Sequence, residues 1–259
     1  MLKTDYNCMA RKNTVENPKL IAHRGFTPKA PQNSIPAFQA AGARGFWAIE
    51  TDVHKTKDGV LVCNHDPAVD CMYNGSGLIR EMTYDELGRL RLKAGDKRND
   101  YPEDLLRMPS LREYLAICKE YGSIPFIETK TNDIAAVIEA ACSYFPEDQV
   151  VLSSLSEKDL YVAREISKKV FVHHIFSNRD TMFRLGELGP SGVSYNYQSY
   201  VAFPQQLLHQ THAAGVLLCL RAGDDIETVR EMIEMGLDYI PTNCVSSLNP
   251  QQKDMKKVW

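Results

Sequence analysis

Short apolar runs and amphipathic stretches alternate along most of the chain. The apolar runs predict eight strands, at residues 20–23, 46–53, 124–128, 150–153, 170–175, 192–195, 216–220 and 239–242. The stretches between them have helical spacing, near residues 34–43, 110–121, 132–144, 156–167, 179–186, 204–214 and 225–235. Eight strands alternating with helices in a chain of this length predict an α/β fold, a (β/α)8 TIM barrel. An open, doubly wound sheet is the competing architecture, because periodicity does not tell whether a sheet closes.

Local sequence signals support the helix boundaries. The alternation of strands and helices is interrupted at one place. Helix starts are predicted at Ser34, Ser110 and Ser156, and helix ends at Gly122, Gly215 and Gly236. Residues 66–108 contain no clear β/α unit and are rich in Gly, Asp, Arg and Tyr. We therefore expect one domain over residues 1–259, with a small insertion at 66–108 after the second strand. The insertion is expected on the face formed by the loops that follow the strands, which is the catalytic face of such barrels.

Composition and charge restrict the cellular locations and binding partners to be expected. A formal net charge of −3 argues against a nucleic-acid partner, and no apolar run is long enough for a transmembrane segment. Residues 1–18 are polar and do not have the pattern of a secretory signal. The seven cysteines form no C-x-x-C pair, which indicates reduced thiols. These features together predict a cytoplasmic protein, and nothing in the sequence specifies an oligomeric state.

The second predicted strand contains a pair of carboxylates. Glu50 and Asp52 point to the same face, because side chains alternate along a strand. Two buried carboxylates repel each other unless a positive group lies between them, and a hard divalent cation is the simplest such group. An isolated pair of this kind is more often a strand end that reaches solvent, so the pair alone does not decide the matter.

A hairpin after this strand brings a histidine toward the carboxylates. Asp58-Gly59 lies between two apolar runs, which is a strong hairpin signal. A two-residue loop pairs Lys57 with Val60 and places Asp52 opposite His65. A bulge or a longer loop would shift this register by one residue.

Two further strand ends add cationic groups, a histidine and a third carboxylate. His23 and Arg24 follow the first strand, and Glu128 and Lys130 lie at the end of the third. In a barrel, the carboxyl ends of the first three strands are neighbours on the catalytic rim. The separate signals therefore converge on one place.

The combined set suits phosphodiester chemistry. Glu50, Asp52 and Glu128 would hold Mg²⁺ or Ca²⁺ through oxygen ligands. Arg24 and Lys130 would bind phosphate oxygens, and His23 and His65 would supply an acid and a base. Zinc fits poorly, because this ligand set is mostly carboxylate. The predicted partner is a small-molecule phosphodiester.

With these motifs, the sequence resembles the glycerophosphodiester phosphodiesterase family. The resemblance rests on residues 23–25 (HRG), 30–34 (APQNS) with 37–38 (AF), 49–53 (IETDV), 56–59 (TKDG), 65–66 (HD), 128–130 (ETK) and, more loosely, 236–243 (GLDYIPTN). It implies a barrel with an insertion after the second strand and a divalent metal on Glu50, Asp52 and Glu128. It also implies acid/base histidines at 23 and 65, and hydrolysis of deacylated phospholipids to an alcohol and glycerol 3-phosphate.

Three departures from the family pattern concern the substrate. Gln32 replaces a usual Glu, residues 153–155 (SSL) lack a usual Phe, and residues 218–222 (LCLRA) lack the usual late Trp motif. Two alternatives therefore stay open. One is a lysolipid phosphodiesterase of the same superfamily, which an exposed apolar rim in residues 66–108 would favour. The other is a barrel that binds phosphoesters without catalysis.

Overall fold

A computed structural model describes residues 19–195, 203–220 and 225–243. In this part of the chain, eight parallel strands form a nearly closed barrel, which confirms the predicted fold class. The strands are β1 Leu20–Ala22, β2 Ala48–Lys55, β4 Ile124–Thr129, β5 Val151–Ser154, β6 Phe171–His174, β7 Ser191–Tyr195, β8 Leu217–Leu220 and β9 Ile240–Thr242, with β3 Leu61–Cys63 as an additional antiparallel strand beside β2.

The strand order is β8-β7-β6-β5-β4-β2-β1-β9. The backbone N–H of Asp238, two residues before β9, donates to the carbonyl of Leu218 in β8 at 2.9 Å, so the two ends of this order also meet. Each neighbouring pair in the order is parallel, which places all carboxyl ends on one rim.

Helices pack around the outside of this sheet. They are α1 Ile35–Ala43, α2 Tyr84–Gly88, α3 Leu111–Tyr121, α4 Ile134–Cys142, α5 Glu157–Ile166, α6 Arg179–Leu188, α7 Gln205–Ala213 and α8 Ile226–Glu234. Their apolar faces and the outer faces of the strands form the largest core cluster. A second cluster fills the barrel interior below the rim, with Phe126, Phe171 and Tyr239 as its largest side chains. Among the described residues, no helix has the length and apolar character needed to cross a bilayer.

The predicted helix caps are confirmed at Ser34 and Ser110, and Ser156 behaves differently. Ser34 accepts from the N–H of Ala37, and Ser110 forms a capping box with Glu113. Ser156 precedes α5 as expected, but its side chain makes no cap hydrogen bond. Asp159 instead accepts from the Ser154 hydroxyl at 2.7 Å, which ties the start of α5 to the end of β5.

The hairpin register differs from the prediction by one residue. Thr56 N–H donates to the Val60 carbonyl, so the loop has three residues and ends in Gly59 at φ +88°. A glycine in this left-handed conformation is typical of three-residue hairpin loops. Asn64, not His65, lies opposite Asp52 and donates its N–H to the Asp52 carbonyl at 3.0 Å. His65 follows one residue later, where the chain leaves the hairpin.

Residues 66–108 fold around a small core of their own. They contain α2 and three short 3₁₀ helices, Ile79–Glu81, Arg98–Asp100 and Glu103–Leu106. Their apolar side chains form a separate cluster with Val62 of β3. Tyr73 is 1% exposed, and Met82 and Tyr84 pack against the same cluster, so these side chains do not form an exposed apolar rim. The assignment of this segment as an insertion on the catalytic face stays a prediction.

The cysteines of the described residues are free thiols. Three of them, Cys63, Cys118 and Cys219, are buried, and burial raises the pKa of Cys63 to about 12. Cys8 and Cys244 lie outside the described residues. A buried thiol with a raised pKa is a small apolar side chain and a poor nucleophile.

Candidate active site

Three carboxylates meet at the carboxyl ends of β2 and β4. Asp52 is the register partner of Glu128, and Glu50 lies two residues earlier on the same face of β2. One oxygen from each of Glu50, Asp52 and Glu128 lies within 4.8 Å of the others. Asp52 is fully buried, Glu50 is 5% exposed and Glu128 is partly buried. The structure thus brings together the three acids that the sequence singled out.

Two cations lie against these acids. Lys130 Nζ is 3.2 Å from Asp52 Oδ1 and contacts the Glu128 carboxylate. Arg24 Nε is 3.4 Å from Asp52 Oδ2, and the Arg24 backbone N–H donates to Glu50 Oε2 at 2.7 Å. Asp52 is therefore held between two cationic side chains that come from the ends of β1 and β4.

Burial and mutual repulsion raise the pKa of two of these carboxyl groups. Burial, followed by the charges of Asp52 and Glu128, raises the pKa of Glu50 well above its usual range. Burial and then the Asp52 charge raise the pKa of Glu128. Burial alone would lower the pKa of Lys130, but the charges of Glu128 and Asp52 outweigh it and raise that pKa. Additional positive charge beside Glu50, Asp52 and Glu128 would favour the ionised form of all three carboxyl groups.

The backbone of the turn after β1 is left-handed at two consecutive residues. Arg24 has φ +59° and Gly25 φ +83°, and a Cβ on Gly25 would lie 2.7 Å from the Cβ of Ala37. This close approach to α1 requires glycine. Gln32 accepts a hydrogen bond from Arg24 Nη1 at 2.8 Å, so the unusual residue of the first loop fixes the guanidinium.

Asn33 connects this turn to β2. It is 1% exposed and has φ +51°. Its amide nitrogen donates to Asp52 Oδ2 at 3.0 Å, and its amide oxygen accepts from the Thr51 hydroxyl at 2.8 Å. The side chain therefore orients the central carboxylate from the side opposite Lys130.

The two histidines flank the acidic cluster. His23 Nδ1 is 2.8 Å from Asn243 Oδ1 beyond β9, and His65 Nδ1 is 2.8 Å from Asp66 Oδ1. With Nδ1 as donor in each pair, the Nε2 atoms are left for substrate. Burial and then the Arg24 charge lower the pKa of His23, which keeps this imidazole neutral at pH 7.

Most of these groups open onto one cavity of about 420 Å³ at the rim, whereas Asp52 and Asn33 lie behind its lining. Its walls include His23, Arg24, Glu50, His65, Glu128 and Lys130 on one side. The other side comes from the ends of β5 to β9. His173, of the adjacent pair His173 and His174, lines the cavity, but its Nδ1 lies 2.5 Å from the Tyr239 hydroxyl and its pKa is lowered to about 3 by burial. It is a structural, neutral histidine.

Sequence reasoning missed several residues that the fold brings to this cavity. Asn33 belongs to the APQNS motif of residues 30–34, but the sequence indicates no role for its side chain. Asn243 directly follows the last predicted strand. The sequence indicates no role for Ser153, yet its hydroxyl is buried, has no hydrogen-bond partner among the described residues and lines the cavity. Polar side chains at strand ends were the available signal, as they were for Glu128.

The role of Asn33 can be tested by separating its amide from its backbone. We expect Asn33→Gly to lower the free energy of unfolding by about 2 kcal/mol, because it leaves Asp52 and Thr51 without their buried partner. Asn33→Ala should lower it by about 1 kcal/mol more, because alanine resists the left-handed backbone. Urea denaturation of both variants measures this. Equal stability of wild type and Asn33→Gly would contradict the amide's role.

The acidic cluster fits a hard divalent cation. Its donors are all carboxylate oxygens, which Mg²⁺ and Ca²⁺ prefer, and the only cationic group beside buried Asp52 Oδ1 among the described residues is Lys130 Nζ at 3.2 Å. The residues that could hold the ion are Glu50, Asp52 and Glu128. Among the described residues, no other group of three acids, histidines or cysteines has this geometry.

Comparison with known proteins relates this chain to one enzyme family. The sequence model of the glycerophosphoryl diester phosphodiesterase family matches residues 23–246. A glycerophosphodiester phosphodiesterase of Caldanaerobacter subterraneus subsp. tengcongensis is 29% identical over 238 residues, which cover 86% of this chain and 93% of the relative. Glycerophosphodiester phosphodiesterase 1 of Mus musculus is 33% identical over 156 residues, but this match covers only 46% of the mouse protein and 58% of this chain.

Solved structures extend the comparison to the fold. A phosphodiesterase from Oleispira antarctica, in complex with the product sn-glycerol-3-phosphate, superposes with a TM-score of 0.78 at 25% identity, covering 88% of this chain and 94% of that one. A glycerophosphodiester phosphodiesterase from Agrobacterium tumefaciens has a TM-score of 0.75 at 24% identity, covering 89% of this chain and 98% of its own.

The barrel, its acidic rim and these relatives define a phosphoric diester hydrolase. Because the family's sequence model spans most of its length, the chain belongs to the glycerophosphoryl diester phosphodiesterase family.

Proposed function

We propose that this protein hydrolyses glycerophosphodiesters to an alcohol and glycerol 3-phosphate, with a divalent cation on Glu50, Asp52 and Glu128. The observation that supports this most strongly is the meeting of three carboxylates within 4.8 Å beside Arg24, Lys130 and two histidines. The product complex of the Oleispira antarctica relative supports the same substrate class.

Charge balance supports a bound cation together with a phosphodiester. Three ionised carboxylates and two cationic side chains leave one negative charge in a largely buried site. A divalent cation and a phosphodiester monoanion together add one positive charge, so the loaded site is neutral. The bound cation would supply positive charge to the phosphoryl oxygens. Arg24 and Lys130 would bind the remaining phosphate oxygens through their N–H groups.

We assign His23 as the general base and His65 as the general acid. His23 is neutral and its Nδ1 is held by Asn243, so Nε2 can take a proton from water. His65 is held by Asp66, whose pKa is lowered by that hydrogen bond, so the carboxylate stays charged and fixes the ring. In the reaction, the water oxygen bonds to phosphorus, the P–O bond to the alcohol breaks, and His65 gives the departing oxygen its proton.

The test is product analysis of the purified protein with glycerophosphocholine. We expect release of choline and glycerol 3-phosphate that EDTA abolishes and that excess Mg²⁺ or Ca²⁺ restores, because without the cation the phosphoryl group would lack its positive charge. Phosphorus NMR distinguishes the phosphomonoester from the diester. Equal turnover with and without EDTA would exclude the metal-dependent mechanism. Cytoplasmic location stays a prediction from the sequence.

A further inference from the structure

Part of the cavity lining is apolar and has no role in the hydrolysis proposed above. We call Leu155, Ile175, Phe176 and Leu220 the apolar wall. These residues stand at or just after the carboxyl ends of β5, β6 and β8, across the barrel mouth from β2. Ser154 and His174 are register partners, so Leu155 and Ile175 leave the sheet side by side. The apolar wall and the acidic cluster line the same cavity.

Two members of the wall expose much of their apolar surface. Leu155 is 55% exposed and Phe176 is 48% exposed. Single exposed apolar residues are common on proteins. Here the two lie together at the mouth of a catalytic cavity, where apolar lining is the usual way to bind the apolar part of a ligand.

The backbone conformation of Phe176 is unfavourable for a residue with a large side chain. Phe176 has φ +53°, a left-handed conformation that is strained for a bulky residue. Hydrogen bonds fix the turn on both sides: Ile175 N–H to the Ser154 carbonyl at 2.9 Å, and Ser177 N–H to the Ser194 carbonyl at 2.7 Å. Glycine would adopt this turn without strain, so the turn geometry alone does not account for a phenylalanine ring.

We infer that the apolar wall binds a hydrocarbon chain carried by the phosphodiester, with Phe176 as the main determinant of this preference. The inference rests on the proposed hydrolysis and narrows its substrate class to glycerophosphodiesters with an alkyl or acyl chain. The reaction is unchanged: water adds to phosphorus, the ester bond to the alcohol breaks, and the alcohol leaves with a proton. The chain stays on the glycerol or departs with the alcohol, according to where it is attached.

Two matched substrate pairs test this inference and locate the chain. Glycerophosphocholine is compared with 1-hexanoyl-glycerophosphocholine, and the ethyl ester of glycerol 3-phosphate with its hexyl ester. The six-carbon chains are short enough for use as dissolved monomers. We expect kcat/KM to rise at least about tenfold for the chain-bearing member of one pair, through KM, since buried methylene groups contribute to binding. The responding pair shows whether the chain sits on the glycerol or on the alcohol.

Phe176→Gly should lower the ratio of kcat/KM between chain-bearing and chain-free substrate at least about tenfold. Its melting temperature should be unchanged or higher, because glycine adopts the left-handed backbone at this position without strain. If the phenylalanine had only a structural role, Phe176→Gly would instead keep the wild-type ratio and have a lower melting temperature. The control is Phe183→Gly on α6, a 40% exposed phenylalanine outside the residues that line the cavity. It should keep the wild-type ratio.

Three results would overturn the inference. Wild type could hydrolyse chain-free substrates with no gain from either chain. Phe176→Gly could leave the ratio unchanged. The wall could also be covered by a second copy of this chain, shown by a dimer in sedimentation that Phe176→Gly dissociates without any chain preference. Absence of hydrolysis of all four substrates would instead refute the proposed function itself.

Discussion

Glu50→Gln is expected to lower kcat/KM for glycerophosphocholine by about a thousandfold or more, while it raises the melting temperature of the cation-free protein. Catalysis falls because the variant loses one of three anionic groups that would hold the cation. Stability rises because Glu50 is buried beside two other carboxylates, whose repulsion the neutral amide removes. A gain of about 1 kcal/mol corresponds to roughly 2–4 °C in a domain of this size.

The stability gain should depend on pH in a definite direction. The pKa of Glu50 is raised in the folded protein, so the folded state binds more protons than the unfolded state above the usual carboxyl range. Wild-type stability without cation therefore falls as pH rises through that interval. The advantage of Glu50→Gln should be largest at pH 8 and should shrink toward pH 5. Thermal melts in EDTA at both pH values measure it.

A matched control separates the site from the change in net charge. Glu139→Gln removes the same charge from an exposed position on α4 and should leave both activity and cation-induced stabilisation intact. In wild type and in this control, Mg²⁺ or Ca²⁺ should raise the melting temperature by mass action. The same cation-induced rise in Glu50→Gln would contradict the assignment of Glu50 as a ligand, whatever its activity.

His65→Ala and His23→Ala should both lower kcat for glycerophosphocholine, by about a hundredfold to ten-thousandfold, but they should differ on an activated substrate. With the p-nitrophenyl ester of glycerol 3-phosphate, the departing nitrophenolate is a stable anion and needs no proton. His65→Ala should therefore recover most of its activity on this ester, whereas His23→Ala should stay impaired on both substrates, because water must still be deprotonated.

The comparison uses the ratio of rates on the two substrates for each variant. His209→Ala, at an exposed position on α7, serves as the control and should behave as wild type. Recovery by His23→Ala instead of His65→Ala would reverse the two roles. Recovery by neither variant would mean that neither histidine acts mainly as the acid for the departing alcohol.

Local patterns in the sequence determined the fold class and the location of the site. Strand and helix periods depend on neighbouring residues, so the eight strands could be predicted with boundary errors of one or two residues. Glu50, Asp52 and Glu128 follow from the same logic, because side-chain alternation and parallel strands bring them to one rim. Arg24, Lys130 and His23 lie at the ends of parallel strands for the same reason, whereas His65 follows the antiparallel strand β3.

Only the tertiary structure decided how these groups are held. Asp58-Gly59 allows two loop lengths, and the one that forms gives Asn64 rather than His65 as the partner of Asp52. Asn243, which holds His23, lies 220 residues away in the sequence. The apolar wall likewise combines side chains from three separate strand ends. Such contacts depend on barrel closure and on the packing of distant segments, and no local pattern of polar and apolar residues encodes those distances.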